Sequence, residues 1–296
     1  MKTKAQQDWL AGLVAGAAMA LAQHAGAQGA ALPGAGAAVV QAAATQAQAS
    51  AAAVLCSAPW FRSGSHVQME GDGVMPMSVG MTLRDVVRSP TGCRAQLEIN
   101  SKTALSALMG PPVITTQVHE VVIDRRSPGG QTSIESQHAV INARARYARM
   151  YGEAAFRGMG VFNYAGLDLR EGATLEGETF ESSVSLKVYP LGSDDVVSTM
   201  RAQHASIHIG SRHVGKRQTI NTVLGRKECL PVTYEKRTSL GPVLVGEEVV
   251  QVEPTVMHVT DWYCPADAFV LRTEVRQDDK VQRIDVTALE SDTQAP

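Results

Sequence analysis

Apolar and polar residues alternate in short segments along much of the chain, most regularly between residues 256 and 289. An alternation of period two with many β-branched residues is typical of half-buried strands. Polar turns divide this region into three predicted strands, at 256–263, 269–276 and 281–289. Because the connections are short, we expect these strands to pair antiparallel as a meander.

Similar segments recur upstream, each bounded by Gly, Pro or charged residues that favour turns. They predict strands at 67–69, 79–84, 94–100, 113–124, 161–169, 184–189, 205–209, 218–224, 229–238 and 243–252. Many short strands at such spacing are typical of sandwiches and barrels. We therefore expect a mainly β fold, built as an antiparallel curved sheet, half-barrel or sandwich with at most one or two short helices.

Residues 133–156 fit two structures. Their Ala, Arg and Met content favours a helix, but Ala143, Ala145 and Tyr147 alternate with arginines as they would in a strand. In a chain this rich in strand signals, we predict strand for this segment. Its arginines are then expected to form a solvated basic face, with an anion-binding face as the alternative: Arg144, Arg146 and Arg149.

The N-terminus has the layout of an export signal. Lys2 and Lys4 precede the apolar run 10–22, and the small residues 25–27 follow it. This order predicts a signal peptide over 1–27, with an uncleaved anchor as the alternative. The run is shorter than the roughly 20 residues of a membrane-spanning helix. We expect a periplasmic or secreted protein with no transmembrane segment after cleavage.

The composition changes after the signal. Residues 28–55 are low in complexity, rich in Ala, Gln and Gly, and lack a wide apolar face. We interpret them as a flexible tether. A β-rich domain is predicted over 56–290, with a disordered tail at 291–296.

Four cysteines are present, an even number in a chain expected to enter an oxidising compartment. Three connectivities are open to them, and sequence alone does not choose. We expect the sequence-local pairs, Cys56 with Cys93 and Cys229 with Cys264. A zinc site is the weaker alternative, because no C-x-x-C spacing occurs.

No motif for nucleophilic catalysis is present. The chain lacks G-x-S-x-G, and His119 is expected to be a surface or edge-strand residue. The doublets Asp194-Asp195 and Asp278-Asp279 are interpreted as turn residues, because neither has the calcium-loop pattern. We predict no catalytic residue and no cofactor. With a formal net charge of −2 and no basic patch with interleaved aromatics, no nucleic-acid partner is expected.

The densest histidine group is His204, His208 and His213. On a helix the first two would share a face and suit a metal ion. Their surroundings predict a strand, where positions four apart lie about 13 Å from each other. We predict no metal site.

Two aromatic doublets, Trp60-Phe61 and Trp262-Tyr263, stand out in a chain with few aromatics. Neighbours in a strand point to opposite faces, so one ring of each pair is expected to be buried and the other exposed. An exposed ring is suited to stack on a sugar or cover an acyl chain. Candidate ligand-binding residues are therefore Trp60, Trp262 and Tyr263, with packing in the core or at the rim as the alternative.

Residues 260–265, TDWYCP, followed by Val270 and Glu274, carry a family resemblance. The segment resembles the T-x-W-[FY]-x-P…V…E pattern near the C-terminus of uncharacterised envelope β-proteins of Gram-negative bacteria, which belong to domain-of-unknown-function families. A Gly commonly follows the Pro in that pattern, whereas Ala266 stands here. The resemblance implies export and a curved sheet, and it brings no catalytic residues.

A large β surface without a catalytic motif favours a non-enzymatic role. We expect an exported envelope protein that acts as a binding or assembly factor for an apolar or glycan ligand. Its expected partners are a lipid, a glycan or an envelope protein. A hydrolase of cell-wall or lipid material and a structural component of a surface complex are the alternatives.

Overall fold

The computed structural model describes residues 56–73, 76–90, 92–103, 113–124, 133–144, 147–157, 164 and 169–290. Within these ranges, the side chains of residues 73, 124, 133–138, 156 and 157 are not described. The predicted signal peptide, tether and tail lie outside the described residues, as does most of the strand predicted at 161–169.

Every element of the described chain is a β strand, although Cys56 and Ser57 have helical backbone. In chain order the strands are β1 His66–Gly73, β2 Met77–Ser89, β3 Gly92–Thr103, β4 Val113–Asp124, β5 Ser133–Arg144, β6 Ala148–Arg157, β7 Thr174–Leu175, β8 Glu178–Pro190, β9 Ser198–Ile209, β10 Arg212–Val214, β11 Gln218–Thr222, β12 Gly225–Ser239, β13 Pro242–Val245, β14 Glu248–Gln251, β15 Thr255–Cys264, β16 Phe269–Gln277 and β17 Lys280–Glu290. No helix in these described ranges has the length and apolar character needed to cross a membrane.

The strands form one antiparallel sheet that closes on itself. β1 pairs with β2 along one edge and with β17 along the other, which joins the first strand to the last. Twelve strands make up the closed barrel: β1 to β6, β8, β9, β12, β15, β16 and β17. The predicted mainly β, antiparallel fold is confirmed. The curved sheet closes completely, because its first and last strands are paired with each other.

Five short strands extend the walls of this barrel. β10 and β11 follow β9 along the same edge of β12, and β7 pairs with β10. β13 follows β12 along β9 and pairs with β14. Around the described barrel, each of the twelve strands pairs with the next of the twelve in chain order, so the barrel has an up-and-down order.

The predicted segments compare closely with these strands. The C-terminal meander is confirmed as β15, β16 and β17, and residues 133–156 form strands β5 and β6 rather than a helix. The single strand predicted at 243–252 is wrong, because β13 and β14 form a hairpin there. Gly246 turns the chain with a φ of 62°, a conformation that glycine adopts without steric cost.

Both disulfides lie near one end of the barrel. Cys56 is bonded to Cys93 at the start of β3, and Cys229 of β12 is bonded to Cys264 at the end of β15. This is the connectivity predicted from sequence proximity. The segment 56–61 packs over this end, where the Arg88 side chain donates hydrogen bonds to the carbonyl oxygens of Cys56 and Phe61, both at 2.8 Å. We call it the disulfide end.

The barrel interior is filled by side chains in the described part of the chain. Inward positions of β1 to β3, β16 and β17 form one apolar cluster, and those of β5, β6, β8 and β9 form another. Exposed fractions are 0% for Phe61 and Leu271 and 1–2% for Leu186 and Ile141. A water-sized void would expose these side chains, so the barrel is packed there rather than hollow.

Candidate functional site

A buried carboxylate, Asp261, organises the polar side chains inside the barrel. It accepts hydrogen bonds from the hydroxyl groups of Tyr164 at 2.6 Å, Tyr234 at 2.8 Å and Thr273 at 2.7 Å. Strand pairing places Asp261 directly opposite Thr273, so the residues share the inner face of the wall. Three donors to one carboxylate compensate for its desolvation and fix the position of all four side chains.

Two further charges lie near this carboxylate on the inner face. Burial lowers the pKa of the Lys236 ammonium to about 8, although the charge of Asp261 acts in the opposite direction. Burial likewise raises the pKa of the Tyr164 and Tyr234 hydroxyls well above their usual value, and the negative charge of Asp261 adds to the effect. Both tyrosines therefore stay neutral hydrogen-bond donors at physiological pH.

An ion pair extends the same network toward β8. Arg212 of β10 is 2% exposed, and its Nη2 lies 2.6 Å from Oε1 of Glu178. The guanidinium also lies over the ring of Tyr164, with its carbon 5.7 Å from the ring centroid. Burial raises the pKa of the Glu178 carboxyl to about 7, although the charge of Arg212 and its hydrogen bond lower it. The contacts connect Glu178 to Asp261 through Arg212 and Tyr164.

His119 is inside the barrel, and the expectation of a surface or edge-strand histidine is wrong. It is 1% exposed on β4, which is paired along both edges, and its register neighbours are Leu97 and Ala139. Its Nε2 lies 3.1 Å from Oε1 of Gln117. Desolvation lowers the pKa of His119 to about 4, so the ring is held neutral.

The outer face of β12, β15 and β16 carries a groove of about 610 Å³. Its floor consists of outward side chains that alternate with the buried ones, and strand pairing arranges them in two rows across the three strands. The rows are Thr233, Thr260 and Glu274, and beside them Glu235, His258 and Arg276.

One wall of the groove is formed by the chain between β9 and β10. Gly210, Ser211 and His213 line it, and the amide of Gly210 donates a 2.8 Å hydrogen bond to the carbonyl oxygen of Glu235. His213 is paired with Thr233 of the floor in the sheet register. The wall is thus attached to the floor by backbone pairing over very few residues and by the packing of Val214 against apolar residues of β12.

The groove presents polar groups that are available to a ligand. Among the described residues, none forms a hydrogen bond or ion pair with the side chains of Glu235, His258, Glu274 or Arg276. Carboxylate, imidazole and guanidinium groups, with the hydroxyls of two threonines, can donate to and accept from a ligand rich in hydroxyls. Sequence reasoning missed these residues, because an outward polar residue in a strand looks the same whether or not a groove lies above it.

Trp60 lies under the disulfide end and is 6% exposed. Its Nε1 donates a 3.1 Å hydrogen bond to the carbonyl oxygen of Ala268, and its ring packs edge-on against Phe61 and Phe269. Since Phe61 is also buried, the expectation of one buried and one exposed ring is wrong for this doublet.

Trp262 and Tyr263 are both half-buried. The register between β15 and β16 shifts between these two residues, with Leu271 as the extra residue of β16, whereas their pairing with β12 stays regular. The two rings therefore keep opposite faces, but neither is fully exposed. Tyr263 packs edge-on against Tyr164, with ring centroids 5.8 Å apart. Ligand contact by Trp60, Trp262 and Tyr263 stays a prediction.

The three clustered histidines do not converge. His204 and His208 are exposed on β9, confirming the strand expected there, and His213 lies on β10. His208 Nδ1 lies 2.9 Å from the Thr179 hydroxyl, and His213 Nδ1 lies 3.1 Å from that of Thr174. Across the residues described, no three His, Cys, Asp or Glu side chains are grouped as metal ligands.

The arginines predicted to form a basic face differ from one another. Arg149 pairs with Asp194 at 2.5 Å and lies 4.2 Å above the ring of Tyr189. Arg144 is exposed on β5, and residue 146 lies outside the described residues. A uniformly solvated face is therefore wrong for Arg149, which fastens the turn after β8.

Two solved bacterial structures resemble this chain at low identity. No protein-family model and no curated protein matches the chain. Among solved structures, a putative exported protein with a YmcC-like fold from Bacteroides fragilis is 13% identical, with a TM-score of 0.35 over 78% of this chain and 97% of that chain. A putative lipoprotein from Parabacteroides distasonis is 10% identical, with a TM-score of 0.37 over 77% and 96%. Scores this low say nothing about what the protein binds.

Proposed function

We propose that this protein is an exported, non-enzymatic envelope factor that binds a glycan segment in the groove on the outer face of β12, β15 and β16. The observation that carries the proposal is the two-row floor of polar side chains with no partners among the described residues. Side chains that form no internal hydrogen bond can exchange hydrogen bonds with water for hydrogen bonds with a ligand.

The packed interior favours the outer face as the binding surface. Small barrels that hold a ligand keep a cavity between their walls, whereas the inward side chains described here contact one another. On the inner face of the sheet behind the groove, the polar side chains already bind one another. Asp261 accepts three hydrogen bonds, and Arg212 is paired with Glu178.

The chemistry of the lining favours a glycan over an acyl chain. An acyl chain is held by apolar walls, but the floor offers carboxylate, imidazole, guanidinium and hydroxyl groups. Trp262 lies two residues beyond Thr260 on β15, so it stays a candidate for stacking against a sugar next to the floor.

Export is supported by two independent features. The basic, apolar and small residues of 1–27 follow the order of a signal peptide. The four cysteines form two disulfides, which persist in oxidising compartments.

A glycan array probed with the oxidised, periplasmically expressed protein tests the proposal. We expect binding to a defined set of glycans that Glu274→Ala weakens about tenfold or more. Glu181→Ala is the matched control, because Glu181 is an exposed glutamate on the outer face of β8 away from the groove. Absence of binding to every glycan on the array, or equal binding by Glu274→Ala, contradicts the proposal.

A further inference from the structure

The groove wall and the buried network meet on one short strand. β10 spans only Arg212–Val214. Its residue Arg212 points into the barrel and is 2% exposed, whereas the flanking residues Ser211 and His213 are exposed and line the groove. One strand therefore presents a groove surface outward and an ion-pair partner inward.

The backbone of this strand is paired over few residues. β10 makes two register pairs with β12 and two with β7, which is itself only two residues long, and Val214 exchanges backbone hydrogen bonds with the chain at 172–173. Short segments with few pairs are where local opening concentrates. Two side chains also hold β10. Val214 packs in an apolar cluster with Leu230 and Val232, and Arg212 forms the 2.6 Å ion pair with Glu178 at the start of the long strand β8.

We propose that the Arg212–Glu178 pair positions the wall of the groove, so that loss of the Glu178 charge loosens β10 and weakens ligand binding on the opposite face of the sheet. Glu178 is in this sense a positioning residue that touches no ligand. The coupling to a ligand rests on the proposed glycan-binding function, whereas the effect on β10 does not.

The electrostatics of the pair make the charge of Glu178 adjustable near neutral pH. Burial raises the pKa of its carboxyl to about 7, with Arg212 opposing the rise. Its second oxygen, Oε2, is buried without a hydrogen-bond partner among the described residues. Because Arg212 lowers this pKa, the pKa of Glu178 rises further when β10 carries Arg212 away while Glu178 stays buried in β8. Protonation below this pH therefore favours the loosened wall, whereas complete unfolding exposes Glu178, lowers its pKa and is opposed by protonation. The other ionisable side chains on the inner face around the pair are Tyr164, Tyr234, Lys236 and Asp261.

Amide hydrogen exchange of the whole oxidised protein measures local opening of the groove wall at 210–214 and needs no ligand. We expect Glu178→Gln, which has the shape of the protonated carboxyl, to exchange the amides of 210–214 about tenfold faster than wild type at pH 8. Glu181→Gln, on the outer face of the same strand, should exchange like wild type. Equal protection of 210–214 in Glu178→Gln and wild type overturns the inference.

A second measurement needs no substitution. Wild type at pH 6 should lose protection at 210–214 relative to pH 8, after correction for the intrinsic rate, while the amides of β3 keep theirs. Unchanged relative protection at 210–214 overturns the inference even if Glu178→Gln fails to fold.

Glycan binding by the same variants distinguishes this inference from the proposed function. Any glycan bound by wild type at pH 8 should bind about tenfold more weakly to Glu178→Gln. The two proteins are compared at one pH and share His213 and His258, so these groove histidines do not account for the loss. Equal binding refutes the coupling and leaves the glycan site standing. A loosened wall in a protein that binds no glycan refutes the proposed function and leaves the role of the pair standing.

Discussion

Tyr164 donates a 2.6 Å hydrogen bond to Asp261, a residue 97 positions further along the chain. The bond holds Tyr164, which lies between β6 and β7 in the chain, against the inner face of β15, next to the ion pair that holds β10. The Tyr164 hydroxyl is one of three donors to a carboxylate that is 4% exposed.

Removing this hydroxyl should destabilise the fold. Tyr164→Phe leaves Asp261 with two donors, and weakening the compensation of a buried charge costs about 1–3 kcal/mol. Urea denaturation of the oxidised protein measures the loss. Tyr151→Phe is the control, since Tyr151 is 47% exposed. Equal stability of Tyr164→Phe and Tyr151→Phe contradicts the importance of this bond.

The buried imidazole of His119 should make the protein sensitive to acid. Its pKa is lowered to about 4 by burial, while in the unfolded chain it is close to 6.5. Between these values the unfolded state binds more protons, so the free energy of unfolding falls as the pH falls from 6.5 to 4. The loss attributable to His119 is about 3 kcal/mol at pH 4.

The contribution of His119 is isolated by comparing variants at each pH, because Glu178 changes the free energy of unfolding in the opposite direction as the pH falls. The raised pKa of Glu178 makes its protonation favour the folded state as the pH falls. The stability difference between wild type and His119→Asn should therefore shift in favour of the variant as the pH falls from 7 to 4.5. His204→Asn, at an exposed position of β9, should show no such shift. A pH-independent difference for His119→Asn rules out a buried neutral histidine.

The Cys229–Cys264 disulfide should contribute substantially to stability. It closes a loop of 35 residues, for which the chain-entropy model gives about 4 kcal/mol. The double variant Cys229→Ser, Cys264→Ser should unfold at markedly lower urea concentration than wild type. Thiol labelling of denatured, unreduced wild type should modify none of the four cysteines. Labelling of all four would show that neither bond forms.

Much of the strand pattern was predictable, because a half-buried strand shows its two faces directly in the sequence. The C-terminal meander illustrates this, since the strands predicted at 256–263, 269–276 and 281–289 are present as β15, β16 and β17. Closure of the barrel was not predictable. It depends on pairing between β1 and β17, whose residues are more than 200 positions apart, and no local pattern encodes that register.

Most site residues could not be predicted from the sequence, because their role depends on which face of a strand they occupy and on what lies beside that strand. His119 follows Gln117 and Thr115 on a strand whose two faces both contain apolar residues, so the inward face of β4 is ambiguous. Trp262 and Tyr263 are both half-buried, because packing against neighbouring side chains covers a ring on either face of a strand. The polar floor of the groove is visible only once β10 is placed beside β12.

Mapping a bound glycan by NMR tests the central claim most directly. Amide shifts are recorded for the oxidised protein while it is titrated with a glycan selected on the array. Binding in the outer groove predicts that the largest shift changes cluster at 233–235, 258–260 and 274–276, with Glu274→Ala abolishing them. Changes centred instead on the inward residues of β3 and β4, near His119, would place the ligand inside the barrel and contradict the proposed site.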